Sequence, residues 1–355
     1  MFQDIYLTNK PFAGITVVFG GDFQQTLPVV VNGMREDCIQ ATMQRSILWN
    51  IIEVIHLRQN MRVLIDANSR AFTQWLLDIG HGWPTPPQNL STSITIPDFM
   101  CCDSENDLIT SIYGLMSNHA HVPSPDFFAE RAILAARNND IHSLNSTILD
   151  HLPGDERTYF SADSYSIDSP TVQEHHNIPV EFLHMLNASG LPIAELRLKV
   201  GCPIILLQNI DPKWGLCNGT RATIINMSNC LIEIWLLTGD HAGEVALIPQ
   251  ITLSPSLTGF DFTIKLNRRQ FPIQLAFALT INKSQGQSLN HIGIDLRKSV
   301  FSHSQLYVAF SRVTSSQHIK VLLPNNPHAK KTRNVVYNEI LLNWSSNEYN
   351  VLVVV

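Results

Sequence analysis

The sequence predicts an α/β protein, and three observations carry that prediction. Ile15 to Phe19 (ITVVF) is a β-branched run fit for a buried parallel strand, ending in Gly20–Gly21–Asp22. Ile133 to Ala136 is a short apolar strand, and Ile141, Leu144, Asn145 and Ile148 follow it at helical spacing. Ile273 to Leu279 is an apolar run of buried-strand length that breaks into Thr280, Asn282, Lys283, Ser284, Gln285 and Gly286. A strand that ends in short donors, one cation and a glycine suits a polyanion, because backbone N–H groups approach phosphate closely where no Cβ intervenes.

With 355 residues the chain is long enough for two or three domains and a sizeable core. At 45% hydrophobic and 15% charged residues it reads as folded rather than disordered. The net charge of −6 excludes a chain that binds nucleic acid through overall charge, so any DNA contact has to come from a local groove. The six cysteines form no CxxC pair, and adjacent Cys101 and Cys102 are badly placed to bridge each other. Reduced core thiols in an intracellular compartment are expected. No apolar run reaches the length of a membrane span, and the N-terminus lacks a signal-peptide pattern.

In chain order, residues 1–10 read as the end of a helix. Motif-like Gly20–Gly21–Asp22–Phe23–Gln24–Gln25 then leads into Leu27–Pro28. In open α/β sheets ligands bind beyond the carboxyl ends of strands, so Asp22 and Gln25 stand where an acceptor and an amide could meet one. A strand around Val54–Leu57 precedes Arg58, Asn60 and Arg62. Ala71 to Ile79 is amphipathic and helical, and His81 to Thr95 is a Pro-, Thr- and Ser-rich exposed loop. Asp163–Ser169 and the pair His175–His176 read as connecting loop, and neither that pair nor His119 and His121 has the spacing of a metal site. From Pro179 the pattern changes to a short helix, then short strands on either side of a Gly–Cys–Pro break and an Asn218–Gly219 turn, which is hairpin chemistry. Near the end, Leu306, Ala309, Phe310 and Val313 recur at helical spacing around Arg312, IKVLL reads as an edge strand, and a helix lies near Val335–Leu342. The terminal VLVVV fits no evident element.

Phe271–Leu289 and Gln305–Ser315 resemble motifs V and VI of the superfamily 1 helicases in the version carried by the Pif1 family, most closely the Pif1-like helicase of Helitron transposons. Gly21 to Pro28 resembles motif III, G-D-F-x-Q-x-L-P; the phrase Leu57 to Arg62 resembles motif IV; and Pro179–Ile225 resembles the 2B module. The resemblance implies RecA-like parallel-sheet motor domains, the first only a remnant, with an inserted small SH3-like β-barrel. The expected domains are 1–50 for the remnant, 51–178 with 272–355 for the second motor domain, and 179–271 for the insert. It implies that Gln25, Arg62 and Arg312 serve the chemistry, Gln25 sensing the γ-phosphate and Arg312 reaching it across a cleft. Gly21, Asp22, Gln25, Gln285, Gly286 and Arg312 would hold the nucleotide, and Thr280, Lys283 and Ser284 would touch single-stranded DNA.

A working motor of this kind also uses a G-x-x-x-x-G-K-[ST] phosphate cradle and an acidic strand end for Mg²⁺. No Gly–Lys dipeptide occurs, and the one Asp–Glu, Asp155–Glu156, sits in a Pro/Gly loop. The resemblance therefore implies a 5′-to-3′ DNA helicase that needs ATP and Mg²⁺, acts in DNA repair, recombination and telomere maintenance, and resides in the nucleus. It covers the part of that core following the Walker motifs. The alternative is a non-enzymatic remnant that binds single-stranded DNA, and a third reading completes the motor in trans with another chain.

Overall fold

A computed structural model describes residues 11–30, 33–57, 67–82, 92–114, 122–167, 179–186, 190–257, 264–324, 330–341 and 350–354. The expected N-terminal helix end, Arg58, Asn60 and Arg62, and His119, His121, His175 and His176 lie outside the described residues. The chain divides into two compact units, one formed by Met1–Leu108 with Thr280–Val355 and the other by Ile109–Leu279.

In the first unit, Val18–Gly21 and Glu53–Leu57 flank Asn350–Val354, and both pair with it antiparallel. This corrects two expectations. The terminal valines form a central strand, and the ITVVF region forms an antiparallel strand, Val18–Gly21, whose Val18 is 54% exposed rather than buried. A β-branched run specifies extended backbone, but it specifies neither the partner nor which face is covered. Between Val18–Gly21 and Glu53–Leu57 in sequence, Val29, Met34 and Ile47 are exposed.

The same unit holds a parallel ladder. His291–Asp295 pairs with Ile319–Leu322, which pairs in turn with Cys101–Cys102. IKVLL is thus interior to this ladder, not an edge; its second partner is two residues long and leaves no periodic signal. Ile292, Ile294, Ile319 and Val321 are buried. The helix Ala67–His81 forms where amphipathicity predicts it, and Trp75 meets Phe310 edge-on at 4.9 Å. Phe310 closes the helix Gln305–Phe310, in which Leu306, Val308 and Ala309 are also buried. Thr92–Thr95, expected as loop, pairs antiparallel with Lys331–Asn334, and a short helix, Asn338–Leu341, follows.

In the second unit, the strand Arg131–Ala135 leads into the helix Asn138–His151, as its pattern predicts. An antiparallel sheet runs in the order Val245–Pro249, Leu231–Leu236, Arg221–Met227, Pro203–Leu206, Ile273–Leu275. The expected hairpin is present: Arg221 pairs with Ile205, and Gly219 takes φ +95° at the turn, a conformation that favours glycine. Asp163–Ser169, expected as loop, contributes to the strand Ala162–Ile167, which Ile264–Gln270 pairs along its whole length. A sequence window cannot show a ladder whose other half lies so far along the chain. The Arg268–Asp163 ion pair, 2.7 Å long with both side chains at 0% exposure, locks that ladder.

The run Ile273–Leu279 is not one strand. Ile273–Leu275 joins the antiparallel sheet, and a second strand starts at Ala278. Asn145 fastens the break, its amide donating to Leu275 O (3.2 Å) and Ala278 O (3.0 Å) while its Oδ1 accepts from Ala278 N (2.8 Å). The six cysteines are free, but only Cys202 is buried and Cys230 is exposed, which corrects the expectation of core thiols throughout.

Candidate functional site

The first unit brings Asp22, Gln25 and Gln285 together, while Arg62 lies outside the described residues. Asp22 follows the strand Val18–Gly21, and its carboxylate accepts from Gln24 N (2.8 Å) and from Gln25 Nε2 (3.1 Å). The side-chain oxygen of Gln25 accepts from Gln285 Nε2 at 3.0 Å. Thr26 Oγ1 donates to the other end of the same amide, Gln285 Oε1, at 2.7 Å. Four side chains from two distant stretches therefore form one clasp. Burial raises the Asp22 pKa above the ordinary carboxylate range, opposed by these hydrogen bonds, by one from Tyr307 and by the charge of Arg312. Gly20 and Gly21 are exposed, and nothing lies within 4 Å of where a Cβ would stand on either.

The motif V turn is a 3₁₀ turn, Ile281–Ser284, capped by Thr280, whose hydroxyl accepts from Lys283 N at 3.4 Å. Gly286 takes φ +81°, so the chain reverses there without a Cβ to obstruct it. Burial pushes the Lys283 ammonium down to about 8. Ser284 differs from the expectation of a DNA contact: it is buried, and its hydroxyl donates to Ile281 O at 2.7 Å. Arg312, also buried, donates from Nε to Val308 O (2.9 Å), from Nη1 to Ser284 O (3.3 Å) and Gln287 O (3.2 Å), and from Nη2 to Ser311 Oγ (2.8 Å). The arginine thus holds the motif V turn by its carbonyls.

Three contributors escaped sequence reasoning. Thr26 lay inside the motif III phrase, with no charge to mark it. Gln305 accepts from Phe301 N (3.1 Å) and Ser302 N (3.2 Å) and donates to Asn282 Oδ1 (3.2 Å), tying the start of its helix to the motif V turn. His303 donates from Nε2 to Phe23 O (3.0 Å) and accepts at Nδ1 from Tyr337 N (2.8 Å), bracing the loop that carries Asp22. Burial pushes its imidazole down to about 4, so it stands neutral at ordinary pH.

Chemically, the clasp offers two side-chain amides, while the buried Arg312 guanidinium donates to backbone carbonyls and to Ser311. Among the described residues no group of three or more His, Cys, Asp or Glu could hold a metal ion. Those amides could donate to a phosphate oxygen, and among the described residues no acidic group supplies a Mg²⁺ cage. Among the described residues, no helix is long and apolar enough to cross a membrane.

Comparison with known proteins gives this resemblance its extent. A model described as PIF1-like helicase matches residues 1–89, one described as DNA helicase Pif1, 2B domain, matches 181–227, and one described as helicase matches 258–353. This chain carries a Pif1-family helicase region. The ATP-dependent DNA helicase PIF1 of Mus musculus is 28% identical over 319 residues, 88% of this chain and 41% of that protein. ATP-dependent DNA helicase Pif1 of Bdellovibrio bacteriovorus is 28% identical over 89% of this chain and 60% of its own length. The chain thus spans between about two fifths and three fifths of the Pif1 relatives compared here. Among solved structures, Bacteroides Pif1 in complex with ADP-AlF3 and single-stranded DNA aligns with a TM-score of 0.60 at 20% identity, over 98% of this chain and 72% of that one. Candida albicans Pif1 aligns with a TM-score of 0.53 at 23% identity, over 96% and 70%. The Pif1 α/β fold, RecA-like in its parallel strands, is therefore the fold of this chain.

Proposed function

We propose that this chain is the nucleotide-sensing and DNA-contacting part of an ATP-dependent, 5′-to-3′ DNA helicase motor. The observation that carries the reading is the bond between Gln25 and Gln285, 260 residues apart, which places the motif III and motif V amides in one clasp. Gln25 would report the γ-phosphate, Gln285 and Gly286 would border it, and Arg312 would stabilise its developing charge. Thr280 and Lys283 would face single-stranded DNA, Ser284 acting only through its backbone carbonyl on Arg312. Gly21 and Asp22 would sit at the nucleotide, and Arg62 would join them. ATP and Mg²⁺ would be held largely by a further segment carrying the phosphate cradle and acidic strand end, and apolar Val29, Met34 and Ile47 offer a surface for it. We assign residues 1–50 to the first motor domain, 51–178 with 272–355 to the second, and 179–271 to the 2B module, in a protein that works on DNA in the nucleus.

The test is a fusion that places the phosphate-cradle segment of a close relative before Met1. ATP hydrolysis stimulated by single-stranded DNA should appear. Arg312→Ala should reduce it by a factor on the order of 10³, as for an arginine that stabilises phosphoryl-transfer charge, and Arg312→Lys should not restore it. Equal turnover with Arg312→Ala overturns the assignment. A second reading, a module that binds single-stranded DNA without hydrolysis, draws on the Arg312 hydrogen bonds to carbonyls. A folded fusion that binds DNA but never hydrolyses ATP would select it.

A further inference from the structure

The antiparallel sheet of the second unit ends in Val245–Pro249, and no described strand pairs with its outer side. Leu231–Leu236 covers the inner side, in the register Leu231↔Pro249, Glu233↔Leu247, Trp235↔Val245. Leu236 N donates to Glu244 O at 2.9 Å. Alternation along an antiparallel ladder then turns the backbone of Ala246 and Ile248 inward, and leaves the N–H and C=O groups of Val245 and Leu247 at the open edge. Pro249, without an N–H, closes that edge at one end.

The outward side chains sharpen the picture. Ile232, Ile234, Leu236 and Ile248 are buried on the inner face, whereas Leu231, Val245 and Leu247 are 43%, 51% and 57% exposed. Natural sheets blunt such edges with lysine or an inward charge, and this one carries neither. Residues 222–250 contain no Lys or Arg but include Glu233, Asp240 and Glu244. Glu233 sits directly across from Leu247, in the middle of the apolar face.

We infer that this edge is a docking surface for an extended polypeptide segment that alternates apolar and basic residues. The segment would add a strand beside Val245–Pro249, taking the Val245 and Leu247 backbone groups, laying apolar side chains over Leu247 and Leu231, and setting a cation against Glu233. A phosphate backbone is the wrong partner here, because every charge in this stretch is negative. This surface is independent of the nucleotide cluster, so its test stands whether or not the motor reading holds.

The experiment titrates the full chain into a fluorescein-labelled peptide of alternating Lys and Val and follows anisotropy. Glu–Val peptide and oligothymidylate serve as competitors. Saturable binding of the Lys–Val peptide is expected. Leu247→Pro, which removes an edge N–H, and Glu233→Lys should each weaken it about tenfold, the loss of roughly one good contact, while melting like the unaltered chain. Should Leu247→Pro fail to fold, Glu233→Lys alone decides. A flat titration, equal binding of the Glu–Val peptide, displacement by oligothymidylate, or undiminished affinity in folded Glu233→Lys each overturns the proposal.

Discussion

The sealed cations of the second unit and the clasp of the first use polar side chains in opposite ways. In the second unit, cations are sealed inside. Arg221 donates to the carbonyls of Phe128, Ala129 and Arg131, Lys199 to Leu152 O, and Arg268 to Asp163 and the carbonyls of Leu183, Leu186 and Pro192. Each has one geometry, and removing any partner leaves a buried group without compensation. In the first unit the clasp joins Gln25, Thr26 and Gln285 by exposed bonds that water or a ligand can replace, with the more buried Asp22 carboxylate behind them. Irreplaceable bonds build scaffold, and exchangeable ones leave room for a signal.

The largest test of that contrast is Arg268→Ala. It strands the Asp163 carboxylate, and stability to urea should fall by about 3–5 kcal/mol; a loss below about 1 kcal/mol would show that this ion pair is no scaffold. The next test sharpens the contrast, because His303 is a sealed group inside the first unit. Its imidazole stands near 4 when folded against 6.5 when free, so the unfolded chain takes up its proton first. Stability from this group is complete above pH 6.5 and is lost as pH falls toward 4, by up to about 3 kcal/mol. His303→Gln should flatten that part of the curve of unfolding free energy against pH, and an unchanged slope would place the acid sensitivity elsewhere. The smallest effect belongs to Gln285→Ala, which should shift stability by less than about 1 kcal/mol because water takes over both of its exposed bonds. A loss above about 2 kcal/mol in thermal unfolding would make the clasp structural.

Much of this was legible in the sequence, and what was not has physical reasons. The hairpin at Asn218–Gly219, the helix Asn138–His151 and the buried helix before Arg312 follow from turn chemistry and periodicity, which are local. The division of Ile273–Leu279 into two strands was invisible, because Asn145, 130 residues away from Leu275, fastens the break. The two-residue partner Cys101–Cys102 is too short to show a period. At the site, Asp22 and Gln285 stood out beside glycines, Gln25 within the motif III phrase and Arg312 as the one cation of a helical segment. Thr26, Gln305 and His303 did not, since their roles depend on what folds against them. Ser284 looked like a surface hydroxyl because sequence does not show which way a turn residue faces.

The three-stranded sheet of the first unit has a consequence for biosynthesis. Its first strand, Val18–Gly21, pairs with the last described strand, Asn350–Val354, in a register that joins Val18 to Val354. Such a pairing has the greatest sequence separation in the described molecule, and non-local pairing of this kind is slow. While the ribosome is still making the middle of the protein, Val18 and Phe19 wait as an extended apolar segment with no mate. A nascent chain in that state is open to chaperones and to sticking to its neighbours until Asn350–Val354 has been made.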